Sequence, residues 1–67
     1  MKNFNNLTEL EKSLQTELLE DTFTFEDNEE MKLTITTDTT LIYLNEDKDL
    51  QIVIDTINNT VKAYEEL

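Results

Sequence analysis

Residues 50–64 read LQIVIDTINNTVKAY, and the period of their apolar side chains decides the fold. The apolar positions that recur at helical spacing are Leu50, Val53, Ile54, Ile57, Val61 and Tyr64. This spacing predicts a C-terminal helix, with Asp47 or Asp49 available as its N-cap. The helix leaves Ile52 on its solvent-facing side, where Ile52 becomes a candidate contact for a partner.

The same segment also fits a strand. Leu50, Ile52 and Ile54 also fall at alternate positions, which is the spacing of apolar residues in a strand. A fourth strand over residues 50–54 is therefore the competing interpretation. We favour the helix, because more of the apolar positions share one helical face than share one face of a strand.

Upstream of this region, the sequence predicts three short strands joined as a meander. Residues 22–26 and residues 31–36 alternate between apolar and polar side chains, with acidic and polar residues forming the turn between them. The third strand, residues 40–44, contains the run Leu41-Ile42-Tyr43-Leu44 and is apolar on both faces. Such a strand is usually covered on both sides, so we expect a second copy of the chain on the side away from the helices. The candidate apolar contact or dimer face comprises Ile42, Tyr43, Leu44 and Ile52.

An N-terminal helix is predicted from leucines at helical spacing, namely Leu7, Leu10, Leu14 and Leu18. Thr8-Glu9-Leu10-Glu11 fits a capping box and Asn6-Leu7-Thr8-Glu9 fits another, so the helix begins near residues 6–9 and runs to about residue 20. The expected fold is a single acidic α+β domain over residues 1–67. Its order is helix, three-stranded antiparallel meander, helix (α-β-β-β-α), with both helices on one face of the sheet.

Composition excludes most enzyme classes. The chain has 16 Asp and Glu, 5 Lys and no His, for a net charge of -11, and it also lacks Cys, Gly and Arg. The commonest general base, the most reactive nucleophile and the ligands of zinc sites are therefore absent. No glycine-rich loop can cradle a phosphate. We expect no enzyme activity, no cofactor and no metal site.

The same net charge argues against direct binding to nucleic acid or to an anionic membrane, because both are polyanions. The chain is also short, and below roughly 70–80 residues a single core rarely gives more than about 3–5 kcal/mol of stability. Without a disulfide or a zinc site, self-association is the usual remaining support. We therefore expect a homodimer.

Several carboxylates lie where local rules disfavour them. Glu20 and Asp21 follow the predicted first helix, and Glu65 and Glu66 end the predicted second one. Acids at helix C-termini oppose the helix dipole by roughly 0.3–1 kcal/mol each. Residues 26–30 add four acids in five positions. Local rules broken without visible compensation point to function.

The predicted meander sorts these acids into two groups about 20 Å apart, the length of a strand of about six residues. One end of the sheet is expected to hold Glu26, Asp27, Glu29, Glu30, Glu46, Asp47 and Asp49. The other end is expected to hold Glu20, Asp21, Asp38, Glu65 and Glu66.

The charge density matches that of DNA. A chain of this length has an expected radius of gyration near 11 Å and a diameter of about 28 Å. Duplex DNA of that length carries about 16 phosphates, at one per ~1.7 Å, and this chain carries 16 carboxylates.

In size, charge and expected layout, the whole chain resembles the small, acidic, phage-encoded DNA-mimic proteins. The resemblance implies an inhibitor whose carboxylates take phosphate positions on a host DNA-binding protein, such as a nucleoid protein, a restriction or CRISPR nuclease, or a repair enzyme. It also implies a cytoplasmic location, in the host cell if the protein is phage-encoded. The alternative is an acidic binding module, such as an immunity protein, an antitoxin or a regulatory subunit, with an apolar contact and an acidic rim.

Overall fold

A computed structural model describes residues 2–26 and 28–65 as one curled sheet with one short helix. The elements are β1 (Asn3–Phe4), α1 (Leu7–Thr16), β2 (Thr22–Phe25), β3 (Glu29–Thr36), β4 (Thr40–Leu44), β5 (Leu50–Asp55) and β6 (Thr60–Glu65). The strands lie in chain order, with β1 parallel to β2 and all other neighbours antiparallel. The sheet curls into a half-barrel, and α1 contacts both edge strands, β1 and β6.

The predicted α-β-β-β-α fold is wrong, because the described chain forms a six-stranded mixed sheet with one short helix, and its C-terminal part is a hairpin rather than a helix. Residues predicted as one helix form the hairpin of β5 and β6. The alternating pattern prevails, because Leu50, Ile52 and Ile54 point into the core while the residues between them are only partly buried. β-Branched side chains dominate this segment, and they favour strands over helices. Ile52, predicted to face solvent, is fully buried.

A tight turn at Asp55 separates the two strands. The Asp55 carboxylate accepts hydrogen bonds from the backbone N–H groups of Ile57 and Asn58 and from the Asn58 side-chain amide. These bonds, the Asn58 side-chain bond first, hold the pKa of the Asp55 carboxyl below its usual value. Side-chain hydrogen bonds of this kind give the backbone an alternative to a helix. They explain why residues 50–64 form two strands although their apolar side chains recur at helical spacing.

The core lies between the concave face of the sheet and α1. Its buried apolar residues are Phe4, Leu10, Phe23, Phe25, Met31, Tyr43, Leu50, Ile52, Ile54 and Val61. Cross-strand partners on one face of a sheet lie close together, so Phe23 with Met31 and Tyr43 with Ile52 form continuous apolar rows.

Tyr43 is the centre of this core. Its ring contacts Phe23 edge-on at a centroid distance of 4.8 Å, and Phe23 contacts Phe4 in the same manner at 5.5 Å. The Tyr43 hydroxyl donates a 2.8 Å hydrogen bond to the Glu20 carbonyl oxygen. Burial, with a smaller contribution from the Asp21 carboxylate, raises the pKa of Tyr43 to about 12. The aromatic row thus ties β1, β2, β4 and the segment after α1 together.

The start of α1 confirms the predicted cap at Asn6 and not the alternative at Thr8. Asn6 is the N-cap, its side chain accepts from Glu9 N–H at 2.9 Å, and the Glu9 carboxylate accepts from Asn5 N–H at 2.7 Å. The helix ends at Thr16 rather than near residue 20, because its last turn holds no basic residue and acids follow it. Leu18, predicted on the apolar face, is 94% exposed. Within residues 2–26 and 28–65, no helix is long and apolar enough to cross a membrane.

A β-bulge in β3 changes which residues face the core. The register with β4 shifts between Leu33 and Ile35, so that Leu33 pairs with Tyr43 and Ile35 pairs with Ile42. The extra residue moves Ile35 to the outer side of the sheet, where it is 48% exposed. The period-two pattern of residues 31–36 is therefore broken in the structure.

The turns adopt left-handed backbone conformations without glycine. Glu26, Lys48 and Asn59 have φ values of 57°, 63° and 54°, and the chain contains no Gly. Each lies in a turn between antiparallel strands, where this conformation matches the twist of the strands. Asn59 adopts the left-handed conformation most easily of the three, whereas in Glu26 and Lys48 this conformation raises the free energy of the backbone.

A pair of Ile-to-Ala substitutions tests the hairpin against a helix. Ile52→Ala should lower the free energy of unfolding by about 2–4 kcal/mol, because it opens a cavity in the core. Ile57→Ala should change it by less than about 0.5 kcal/mol, since Ile57 is 69% exposed in the turn. Urea unfolding of both variants measures this difference. A helix over residues 50–64 would give the reverse order.

Candidate functional site

Two turns and the ends of two strands, β3 and β6, bring carboxylates together at one end of the sheet, here called the acidic end. The turn after β2 and the turn after β4 lie at this end, because alternate turns of a meander share an end. The described carboxylates of the acidic end are Glu26, Glu29, Glu30, Glu46, Asp47, Asp49 and Glu65. A surface depression of about 160 Å³ is lined by Glu26, Glu29, Asp49, Leu50 and Glu65.

Glu65 corrects the predicted distribution. As the last residue of a C-terminal helix it was expected at the opposite end, with Asp38. The hairpin instead returns β6 alongside β5, and Glu65 pairs with Leu50 at the acidic end. The predicted group at this end therefore gains a carboxylate. Asp27 and Glu66, also predicted as site residues, lie outside the described residues.

The remaining predicted carboxylates lie at the opposite end of the sheet. Glu20 and Asp21 precede β2, and Asp38 lies in the turn between β3 and β4. All three are exposed. Glu17, which follows α1 shortly before Glu20 and Asp21, pairs with the Lys2 ammonium. This second group has fewer described carboxylates than the acidic end.

A buried amide organises the acidic end. Asn45, only 5% exposed, donates both side-chain hydrogens, to Glu29 Oε2 at 2.8 Å and to Asp49 Oδ1 at 2.6 Å. Its Oδ1 accepts from Leu50 N–H at 3.0 Å. One neutral side chain therefore holds two carboxylates close together and also closes the turn between β4 and β5. Charge-assisted bonds of this kind are shorter and stronger than neutral ones.

Sequence reasoning missed Asn45. The sequence feature that could have indicated Asn45 is its position at the end of a strand, directly before a polar turn. Asn side chains at such positions commonly form hydrogen bonds with nearby backbone groups. The clustering of Asp and Glu on either side of the turn indicated the site instead. The bonds to Glu29 and Asp49 depend on tertiary structure, because Glu29 is sixteen residues away along the chain.

Few cations balance these acids. Among the described residues, the ion pairs are Lys2 with Glu17 and Lys32 with Glu30, the latter at 3.9 Å. Lys48 lies in the turn of the acidic end, where its backbone N–H donates to the Asn45 carbonyl oxygen. The carboxylates of this end are thus left largely without a paired cation, and their charge is available to a partner.

The candidate apolar contact is divided between the two faces of the sheet. Tyr43 and Ile52 are fully buried in the core, so the prediction that they form a contact surface is wrong. Ile42 and Leu44 lie on the side of the sheet away from α1, here called the outer face, and are partly exposed. The outer face is formed by β3 to β6 and comprises Glu30, Lys32, Ile35, Ile42, Leu44, Gln51, Val53, Asp55, Lys62 and Tyr64.

The described part of the chain shows no cluster of three or more carboxylates arranged to hold a metal ion. Comparison with protein-family models, with curated proteins and with solved structures finds no match for this chain. What the acidic end does is therefore argued from its own geometry and charge.

Matched Asn-to-Ala substitutions test the role of the buried amide. Asn45→Ala should lower the free energy of unfolding by about 2–3 kcal/mol, because two carboxylates and a backbone N–H lose their partner. Asn58→Ala, which removes an exposed hydrogen bond to Asp55, should cost less than about 1 kcal/mol. Urea unfolding of both variants provides the comparison, and equal losses would contradict the assignment.

Uncompensated charge should make the fold depend on salt. Raising NaCl from about 0.05 M to about 0.5 M should raise the thermal midpoint by several degrees, because salt screens repulsion between the carboxylates. The double variant Glu46→Gln/Asp47→Asn should show a smaller increase. Calorimetry at low protein concentration measures both, and a midpoint that is flat or falls with salt would show that the acids are already compensated.

Proposed function

We propose that this protein is a non-catalytic inhibitor that binds the basic DNA-binding surface of another protein and competes with DNA for it. The carboxylates of the acidic end take the positions of phosphate groups. The target class is a DNA-binding protein, such as a nucleoid protein, a nuclease or a repair enzyme. The proposal places the protein in the cytoplasm, in the host cell if it is phage-encoded.

The density of carboxylates supports this proposal. The longest dimension of the molecule is 28 Å, and the chain carries 16 carboxylates against 5 lysines. Duplex DNA of the same length carries about 16 phosphates. A basic groove that neutralises phosphates would therefore meet a similar number of anionic groups over a similar length, at a net charge of -11.

The arrangement of the acidic end also suits this role. Its carboxylates lie at the ends of β2 to β6, and the curl of the sheet brings Glu26, Glu29, Asp49 and Glu65 around one depression. Asn45 fixes Glu29 and Asp49 before any partner arrives. Groups that are already ordered lose less conformational entropy on binding, so these two favour affinity more than free side chains would. The other carboxylates attract a basic surface from a distance and speed association.

A second candidate function is a binding module that uses an apolar contact. The observation in its favour is the outer face, where Ile35 is 48% and Tyr64 51% exposed. Leu44 there lies beside Glu46, so an apolar centre with an acidic rim is available. Binding through this face would depend on the apolar side chains and would vary little with salt.

Two charge-matched variants separate these functions. Glu46→Gln/Asp47→Asn neutralises one Glu and one Asp at the acidic end, and Glu20→Gln/Asp21→Asn does the same at the opposite end. Each pair is exposed and adjacent in sequence. Tagged protein is used to capture partners from bacterial lysate, with elution by increasing salt and by added duplex DNA. The affinity of the captured protein for each variant is then measured at several salt concentrations.

The proposal predicts a DNA-binding partner that duplex DNA displaces and that dissociates as salt rises. Glu46→Gln/Asp47→Asn should weaken binding by roughly tenfold or more, because two carboxylates at phosphate positions are lost. A tenfold change in affinity corresponds to about 1.4 kcal/mol of binding free energy. Glu20→Gln/Asp21→Asn should have a clearly smaller effect. A partner that resists about 1 M salt, ignores DNA and is lost on Ile42→Thr/Val53→Thr would support the binding module instead.

A further inference from the structure

Tyr64 differs from every other aromatic side chain of the chain in its exposure. Phe4, Phe23, Phe25 and Tyr43 are buried in the core, whereas Tyr64 is 51% exposed on the edge strand β6. Tyr is enriched at protein interfaces and among the residues that contribute most to binding, where the partner covers the ring. The exposed Tyr64 ring is therefore a candidate contact for a partner.

Tyr64 lines a surface depression of about 240 Å³ where the outer face meets the acidic end. The other lining residues are Lys48, Asp49, Gln51 and Glu65. Gln51 is the cross-strand partner of Tyr64, and Glu65 follows Tyr64 in β6, so the hairpin fixes the positions of all three. The depression thus presents an aromatic ring and a side-chain amide together with two carboxylates and one ammonium group.

The two carboxylates connect this depression to the acidic end. Asp49 is held in place, because its Oδ1 accepts a 2.6 Å hydrogen bond from the buried Asn45 amide. A carboxylate accepts about four hydrogen bonds in all, so Asp49 keeps most of its capacity for a ligand. Glu65 and Asp49 also line the smaller depression at the acidic end. A partner that reaches the acidic end can therefore place a side chain beside Tyr64.

Two different interactions in the depression favour a cationic ligand. Its carboxylates outnumber its ammonium group, and the whole chain carries a net charge of -11, so an anion would be repelled. The face of an aromatic ring also attracts cations, because the ring carries negative charge on its faces. Tyr64 thus favours the same class of ligand as Asp49 and Glu65 through an interaction that does not depend on their charge.

We infer that this depression binds an arginine side chain of the partner, with the guanidinium stacked on the Tyr64 ring and hydrogen-bonded to Asp49 and Glu65. A guanidinium is planar and weakly hydrated, and its N–H donors lie in the plane of the group. It can therefore cover a ring with its face and donate to carboxylates from its edge. An ammonium is compact and strongly hydrated, so lysine fits this combination less well.

We rest this assignment on the proposed function, because a DNA-binding surface supplies exposed arginines that pair with phosphate groups. The inference adds which side chain of the target is recognised and where it lies. Arginine at this site is bound by a ring as well as by carboxylates. Phosphate groups alone offer no such ring, so here the protein goes beyond imitation of DNA charge.

Lys48 competes with the arginine for the same carboxylates. It lines the depression, and it belongs to neither of the ion pairs formed among the described residues. An arriving guanidinium therefore meets repulsion from the Lys48 ammonium but breaks no ion pair of Lys48 in the described part of the chain. Lys48→Gln should strengthen binding of arginine, because it removes this positive charge.

Titration of the purified chain with N-acetyl-arginine amide and N-acetyl-lysine amide tests the inference, followed by NMR at about 0.15 M NaCl. The two probes carry the same charge, so attraction to the acidic chain as a whole affects both equally. The arginine probe should bind more tightly than the lysine probe. Intermolecular NOEs should join the methylene protons of the arginine probe to the ring protons of Tyr64, a measurement that needs no variant.

Matched variants separate the ring from the carboxylates. Tyr64→Leu should weaken binding of the arginine probe by about two- to fivefold, the range for a cation–π contact at an exposed site. Tyr64→Phe keeps the ring and should bind the probe as the unmodified chain does. Glu65→Gln should weaken binding, whereas Glu20→Gln, which removes an exposed carboxylate at the opposite end, should have a smaller effect.

Equal affinity for the two probes would overturn the inference, as would equal binding by Tyr64→Leu and Tyr64→Phe. NOEs from the arginine probe to other residues but not to Tyr64 would also overturn it. None of these results contradicts the proposed function, since the carboxylates of the acidic end can bind a basic surface without this site. Conversely, a lysate that yields no DNA-binding partner would contradict the proposed function and leave the titration result unchanged.

Discussion

Repulsion among the carboxylates is the constraint on which the rest of the structure depends. Sixteen acids and five lysines must share a body 28 Å long. The fold meets this by placing the described carboxylates in turns, near strand ends and on or beside the helix, while the concave face of the sheet keeps an apolar core around Tyr43. Since turns at one end of a meander lie side by side, this separation also concentrates the acids. The acidic end is therefore a consequence of topology as well as of composition.

Asn45 links stability to the proposed function. Its amide hydrogens hold Glu29 and Asp49 in place, and its carbonyl oxygen binds the backbone where β5 begins. The side chain that closes the turn thus also fixes part of the charged surface. Glu46 and Asp47, in the same turn, are exposed, and among the described residues Asn45 holds neither of them. The acidic end therefore combines two carboxylates held by Asn45 with carboxylates that are exposed to solvent.

The sequence predicted the parts of the fold that local signals determine. The Asn6 cap, the strands around Phe23, Met31 and Tyr43, and the shared end of two acidic turns follow from capping, alternation and meander topology. The C-terminal hairpin could not be predicted from local signals, because the apolar positions of residues 50–64 fit both the period of a helix and the period of a strand. The hydrogen bonds that the Asp55 carboxylate accepts from the following turn favour the two strands over a helix. The bulge in β3 and the bonds of Asn45 arise from pairing between distant segments, which no local pattern records.

The left-handed turn at Glu26 shows how this molecule balances backbone cost against charge. Glycine would adopt its φ of 57° without strain, whereas a residue with a Cβ pays about 1–2 kcal/mol for the left-handed conformation. Glycine there would also delete a carboxylate from the depression shared with Glu29 and Glu65. At position 26, glycine would therefore favour the stability of the fold, whereas Glu favours a more negative electrostatic potential. A more stable version of this chain would be a less acidic one.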